Sequence, residues 1–464
     1  MRYAHAMITD DPKPTATARL SRQVVTQYAV GSLGTGGFAT LPGLVLLYYM
    51  TDSLGIAAFA AGLIITCAKV WDVLIDPIIG ARSDQRLART GSRRRYMVLG
   101  GALLPVFFLL TFAVPTGTAP TLAAVWVLVS FILAATAFSL FQVPYIALPA
   151  ELSGRYDERT RLLTWRVVVL TFAILLFGAG GPELRSLGGG SDSYTGYLLM
   201  AAVAGVVIGV GMLISSRVAP HTPDFAFVPK RISIAENYAA GIRALKRSQP
   251  FRVLLVTFLL QGLATGLMLA GAQYVATWVL RSESAVTLLF LALIAPALLA
   301  APVWGVVARR IGKERAFTIA SMIFGIAALT LIGLAWAPGV WVYLPVAAAG
   351  AAYAGMQSLP MAMLPDVISH DAAEHGDGQA GIFSGVWTAG ETTGMAFGAT
   401  VLSVVLAVTG YVVTAGAATV EQPAAAVLGI VLSFSVVPAA LIGGSLLALS
   451  RYRLRRADID QLAP

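Results

Sequence analysis

Three ionisable residues stand inside a long apolar stretch, KVWDVLIDPIIG, residues 69–80. At about 100° per residue a helix carries Lys69, Asp72 and Asp76 on one side, at i, i+3 and i+7. A carboxylate inside a bilayer is costly. Two of them a turn apart beside a lysine read as a site for a proton or a small cation. Such a pair titrates as a coupled unit, so one proton exchanges with conditions. The structural alternative is that Lys69 pairs with one acid while the other meets water.

A second set of residues could hold a solute. Arg166 opens an apolar segment in TWRVVV. It either anchors that helix at the lipid interface or reaches a central cavity. Glu391, in WTAGETTG, is the only carboxylate deep in the second half of the chain. It reads as a second protonation site or a substrate contact. Gln142, Tyr145 and Trp387 fall at midplane depth and are either packing residues or the polar and aromatic contacts of a small-molecule pocket. Gln261, Gln273, Tyr274 and Gln357 are weaker candidates. Asp366, His370, Asp371, Glu374, His375 and Asp377 are of metal-ligand type, but their spacing matches no zinc pattern, and a solvated loop is expected there. No catalytic triad, phosphate-binding glycine loop or cofactor motif appears. Enzyme chemistry and ATP drive are therefore not expected. An ion gradient, H⁺ or Na⁺, is the expected energy source, with no cofactor and no metal.

The elements that must position these residues are apolar helices. Of 464 residues, 57% are hydrophobic and only 12% charged. The mean hydropathy is +0.78. Soluble domains carry about 25% charged residues. Twelve segments are long enough to span a bilayer: 26–50, 55–81, 96–116, 120–150, 163–180, 195–217, 251–280, 284–309, 315–337, 340–365, 380–409 and 425–450. The polar stretch 218–250 divides them six and six, and its middle reads as a short amphipathic helix. The expected plan is an N-terminal tail (1–25), a six-helix half (26–217), a cytoplasmic middle loop (218–250), a second six-helix half (251–450) and a C-terminal tail (451–464). The first 25 residues lack the apolar core and cleavage site of a signal peptide.

The net charge of +9 does not point to nucleic acid. All Lys and Arg residues except Lys69, Arg166, Arg185 and Arg281 fall in the tails and in alternate loops. That is the positive-inside pattern of a chain with both ends in the cytoplasm. Arg185 and Arg281 belong to the opposite loops. The one cysteine, Cys67, sits in an apolar run and reads as a buried, inert thiol. Gly390, Gly394 and Gly398 form a small-residue stripe expected to serve close helix packing.

The halves share a faint repeat. Asp76-Pro77-x-x-Gly80 precedes a basic turn, and Ala301-Pro302-x-x-Gly305 precedes another. Two such six-span halves resemble the plan of the major facilitator superfamily, in which halves rock about a midplane site. Asp72 and Asp76 correspond to Ala297 and Ala301, so the acids are peculiar to the first half.

Four motifs sharpen the resemblance. KVWDVLIDPIIGARSDQ, VPYIALPAELSGRYDERTRLLTWR (143–166), MLPDVISHD (363–371) and YYMTDSLG (48–55) resemble signatures of the glycoside–pentoside–hexuronide:cation symporter family. The resemblance implies an all-α membrane protein with twelve transmembrane helices, working by cation-coupled symport. It carries the family's cation-site acids onto Asp72 and Asp76, its preceding basic residue onto Lys69, and its substrate arginine onto Arg166. The chain departs where an asparagine is replaced by Ile75, and where acids are replaced by Gln142 and Gly36. A family tryptophan becomes Ile146, and a lysine falls near Thr392. Sodium wants several oxygen ligands, whereas a proton needs one carboxylate. The expected function is symport of a small organic solute, a sugar or glycoside, with H⁺ favoured over Na⁺. Gln142, Tyr145, Trp387, Glu391 and Arg166 would face the solute. Other readings are a lysolipid or amphiphile symporter, a proton-coupled exporter and a non-transporting sensor. The expected setting is a multi-pass monomer in the cell membrane of a bacterium, with the lipid bilayer its only large partner.

Overall fold

The computed structural model describes residues 19–153, 156–190, 193–219, 234–375, 380–414 and 420–454. Among these, every regular element is a helix. In chain order they are α1 (Arg22–Leu46), α2 (Ala58–Thr90), α3 (Arg94–Phe112), α4 (Pro120–Leu152), α5 (Tyr156–Leu187), α6 (Tyr194–Ser216), α7 (Ile234–Arg247), α8 (Gln249–Val279), α9 (Ser284–Ile311), α10 (Lys313–Ala335), α11 (Tyr343–His375), α12 (Ala380–Val408) and α13 (Ala424–Leu449). Ten of them are long and apolar enough to cross a membrane. The other three are α7, which falls in the middle stretch as expected, α11, and α12, whose apolar part among the described residues is the shorter Thr393–Val408.

Local chemistry sets the ends. Ser21, Ser193 and Ser248 accept hydrogen bonds from the first-turn amides of Val24, Gly196 and Phe251 and so cap α1, α6 and α8. Gly91 and Gly312 stop α2 and α9 at φ +66° and +95°, a region that costs other residues strain. The repeat is visible here. Pro77 and Pro302 each lie inside a long helix that ends at one of these two glycines.

The helices before residue 220 pack mainly on one another, and so do those after residue 233. Large apolar side chains such as Phe172, Val206 and Leu299 remain exposed on the outside, as a lipid-facing wall requires. In the second group the glycine stripe does what its spacing predicts. A Cβ at Gly398 would collide with the backbone of Gly266 and Leu267, and one at Gly394 would press on the Leu259 carbonyl. α12 therefore lies against α8 almost backbone to backbone.

Two expectations are corrected. Cys67 is exposed on the surface of α2, because its turn of the helix faces outward rather than toward a neighbour. Arg185 is not a loop residue. α5 continues to Leu187, and Arg185 is fully buried, with its guanidinium over the Tyr197 ring and Nη2 donating to Gln273 Oε1 at 3.0 Å.

Candidate functional site

The acids of α2 face α4. Lys69 Nζ donates to Asp72 Oδ2 at 3.1 Å, and both side chains keep some exposure, 35% and 19%. Asp76 stands one turn further, with the Ser139 hydroxyl of α4 as its hydrogen-bonding neighbour. One turn before Ser139, Thr136 accepts from Trp71 Nε1 at 2.8 Å and fastens α4 to the same stretch of α2. Oδ1 of Asp72 and Oδ1 of Asp76 are buried and accept no hydrogen bond. A buried carboxylate oxygen left in that state is a strong acceptor in search of a proton or a cation.

The second cluster gathers around Tyr145. Its ring stacks between Tyr28 and Phe141, at centroid distances of 4.8 and 5.0 Å. Its hydroxyl donates to the Tyr28 carbonyl at 2.9 Å and lies 3.0 Å from Ser32 Oγ. Onto this fixed ring falls Arg166, its Cζ 5.4 Å from the centroid, a cation–π distance. Arg166 Nε is buried and donates to nothing. Among the described residues no carboxylate pairs with Arg166. Gln142 lies one turn from Ser139 and one from Tyr145, so α4 carries both clusters on successive turns. Its Oε1 accepts from Thr35 Oγ1 at 2.7 Å, which occupies that oxygen away from the acids.

The structure brings Lys69 to Asp72 and Arg166 to Tyr145, but among the described residues no hydrogen bond or ion pair joins the two clusters. Trp387 belongs to neither. It is 1% exposed, stacked on Phe258 at 4.4 Å, with Nε1 3.1 Å from Met361 Sδ, in the packing of α8, α11 and α12. The side chain of Glu391 lies outside the described residues. Gln261 bridges Ser321 and Ser445, a packing role. The 366–377 segment is not a loop up to His375. It is the last part of α11, where Asp366 pairs with Lys313, Asp371 with Arg247 and His370 with Glu374. Asp377 lies outside the described residues. Among the described residues no group of three metal-ligating side chains gathers.

Residues 27–456 match a profile described as MFS/sugar transport protein. That match spans nearly the whole chain. The chain belongs to this family of membrane transporters. It is a transporter and not an enzyme, and the resemblance to glycoside and hexuronide symporters holds. The glucuronide carrier protein homolog of Escherichia coli (strain K12) is 26% identical over 90% of each chain. The sodium-dependent lysophosphatidylcholine symporter 1 of Mus musculus is 25% identical over 77% of this chain and 72% of its own. The crystal structure of a D-xylose-proton symporter superposes with a TM-score of 0.68, covering 93% of this chain and 97% of that one at 14% identity, which speaks for the fold.

Facilitators work by opening one end at a time, and in this member of the family the two ends differ. Beyond the C-terminal end of α1, the two helix groups are tied by buried polar contacts. Asp52, 1% exposed, accepts from Tyr411 at 2.6 Å and from Thr51 at 2.5 Å. Thr51 Oγ1 is 2.7 Å from the Tyr274 hydroxyl. Thr414 donates its amide to the Thr51 carbonyl and its hydroxyl to the Asp52 carbonyl. Along the same seam Thr66 of α2 meets Thr400 of α12 at 2.7 Å. At the opposite end the ion pairs stay within one group: Arg93 with Asp84 and Glu151, Glu158 with Arg19 and Arg161, and then Arg247 with Asp371 and Lys313 with Asp366. Among the described residues, one end is locked and the other is not.

Sequence reasoning gave no role to Ser139, Thr35, Tyr28, Asp52 or Arg185. Asp52 had a signal, because an acid closes an otherwise apolar run in YYMTDSLG. The hydroxyls had none, since Ser and Thr occur throughout such helices.

Proposed function

We propose that the protein is a cation-coupled symporter of a small sugar or glycoside, with H⁺ as the coupling ion. Twelve spans in two six-helix halves (26–217 and 251–450) would enclose the path, with both termini and the 218–250 segment in the cytoplasm. The observation that carries the reading is the pair of buried, unsatisfied carboxylate oxygens on Asp72 and Asp76, inside a helix that also forms the seam between the helix groups. Lys69 tunes the pair by holding Asp72. A proton is favoured over sodium because the amide oxygen of Gln142, one turn from Ser139 on α4, is engaged by Thr35 and Ile75 offers no ligand. The unlocked end carries the basic residues, so the state described is open to the cytoplasm.

Arg166 selects the solute. A guanidinium stacked on a fixed tyrosine, with Nε unsatisfied and no carboxylate partner among the described residues, is suited to a bidentate anion on a sugar. The relatives include a glucuronide carrier homolog and a putative sulfoquinovose importer, and both printed names specify anionic sugars. The solute is therefore a glycoside carrying a carboxylate or sulfonate, with Gln142 and Tyr145 on its path. The test is uptake into proteoliposomes with internal pH followed by a dye. A uronide should acidify the lumen and its neutral parent sugar should not. Uronide-driven acidification that survives Asp76→Asn would overturn the assignment of that acid.

A further inference from the structure

Away from the acids and from Arg166, the cytoplasmic end of the second helix group holds a cavity of about 1120 Å³. Its walls come from the ends of α9 and α11, the start of α10 and the chain after α13, all on one side of the seam. The floor is apolar and small, with Ala301, Gly305 and Ala362. The rim is basic. It carries Arg309, Arg310, Lys313 and Arg315, against Glu314 and Asp366. Lys313 is already committed, with Nζ 2.6 Å from Asp366 Oδ2 and 2.9 Å from the Ala362 carbonyl. The three arginines have no hydrogen bond or ion pair among the described residues. Arg309 also folds inward. A Cβ on Gly305 would sit 3.7 Å from its Nη1, so this exposed guanidinium lies back along α9 toward the cavity floor.

Unpaired arginines usually extend into solvent. Here the exposed arginines also ring a cavity whose floor is apolar and which, on the orientation proposed above, lies at the membrane–cytoplasm boundary. We infer that this cavity binds the phosphate headgroup of an anionic phospholipid from the inner leaflet. The guanidinium forks hold the phosphodiester, and the small-residue floor between α9 and α11 receives the glycerol and the first methylenes. The sidedness rests on the orientation proposed above, but binding measured in detergent does not, so the two fail separately. A soluble phosphate shares the chemistry but has no use for the apolar floor.

The test is native mass spectrometry of the full chain in detergent, titrated with phosphatidylglycerol or phosphatidylcholine. Each surface guanidinium contributes roughly a fivefold gain for an anionic headgroup. Phosphatidylglycerol should therefore bind on the order of 100-fold more tightly than phosphatidylcholine, and the triple variant Arg309→Gln/Arg310→Gln/Arg315→Gln should erase the difference. If that variant does not fold, Arg309→Gln alone should lose about fivefold. The control Arg82→Gln/Arg89→Gln/Arg243→Gln removes the same charge elsewhere and should keep the preference. Equal binding of the two lipids, or equal loss in the control, overturns the proposal. Displacement of the lipid by an excess of inorganic phosphate as effective as displacement by phosphatidylglycerol makes the occupant a soluble anion and overturns it as well.

Discussion

Replacing Tyr411 by Phe should open the locked end. The change keeps the ring, which packs edge-on to Tyr274 at 5.6 Å, and removes only the hydroxyl that donates to Asp52 at 2.6 Å. Asp52 is 1% exposed, so no bulk water replaces that donor while the seam is closed. A buried hydrogen bond to a carboxylate contributes about 1.5–3 kcal/mol. When the seam opens, water satisfies both groups, so the loss falls on the closed state alone. Taking about 2 kcal/mol, the ratio of outward-open to closed molecules should rise about 30-fold. Spin labels at Leu187 and Val408, 79% and 82% exposed, report the separation across this end. The native Cys67 must first be replaced by Ala, since it is exposed and would be labelled too. Double electron–electron resonance in nanodiscs should show a second, longer distance growing in Tyr411→Phe and in Asp52→Asn. A distribution changed less than threefold would refute the argument. So would an equal change in Tyr452→Phe, a tyrosine at the opposite end.

Three further outcomes follow from the same geometry. Asp76→Asn should abolish proton-driven accumulation while solute exchange across the membrane continues, and Asp72→Asn should weaken coupling and also release Lys69, seen as faster amine labelling. Arg166→Gln should weaken uronide binding by about 10- to 100-fold, the range for a charge-assisted hydrogen bond, with little change for a neutral glycoside, as read by isothermal titration. Gly398→Val and Gly62→Val both add bulk at a close contact, but at different ones. The first overpacks α8 against α12 within one group and should lower the melting temperature, at a cost of about 1–3 kcal/mol. The second clashes with Ser403 across the seam and should leave stability nearly intact while favouring the outward-open state in the same spin-label assay.

Much of the fold is written in hydropathy. Helix positions, the proline–glycine repeat and the α12 glycine stripe follow from apolar length and residue size alone. The acid pair was equally legible, because two carboxylates and a lysine in an apolar run have few uses. What could not be read is which way a side chain turns. Trp387 looked available and is sealed against Phe258, whereas Arg185 looked peripheral and is buried at the seam. Both depend on the neighbouring helix, which no local period encodes. Asp366 and Asp371 likewise find partners on α10 and α7, far away in sequence.

The coupling of ion to solute has a physical route in α2. Gly62 and Thr66 make that helix's contacts with Ser403 and Thr400 across the seam. Lys69 follows Thr66 by three residues, and Asp76 lies ten residues, about 15 Å, further along the same helix than Thr66. A rigid helix cannot tilt at one point without moving at the other. Breaking the Thr66–Thr400 contact must therefore shift Asp72 and Asp76 against α4, where Ser139 and Thr136 hold that stretch. α4 in turn carries Tyr145, on which Arg166 rests. An ion that satisfies the two bare carboxylate oxygens relieves a cost which depends on how α2 sits against α4. On the proposed reading it would bias the seam, and an anion on Arg166 would bias α4 from its other cluster. On that reading both ligands would act on the contact between α2 and α4, which is the requirement for linkage between their sites.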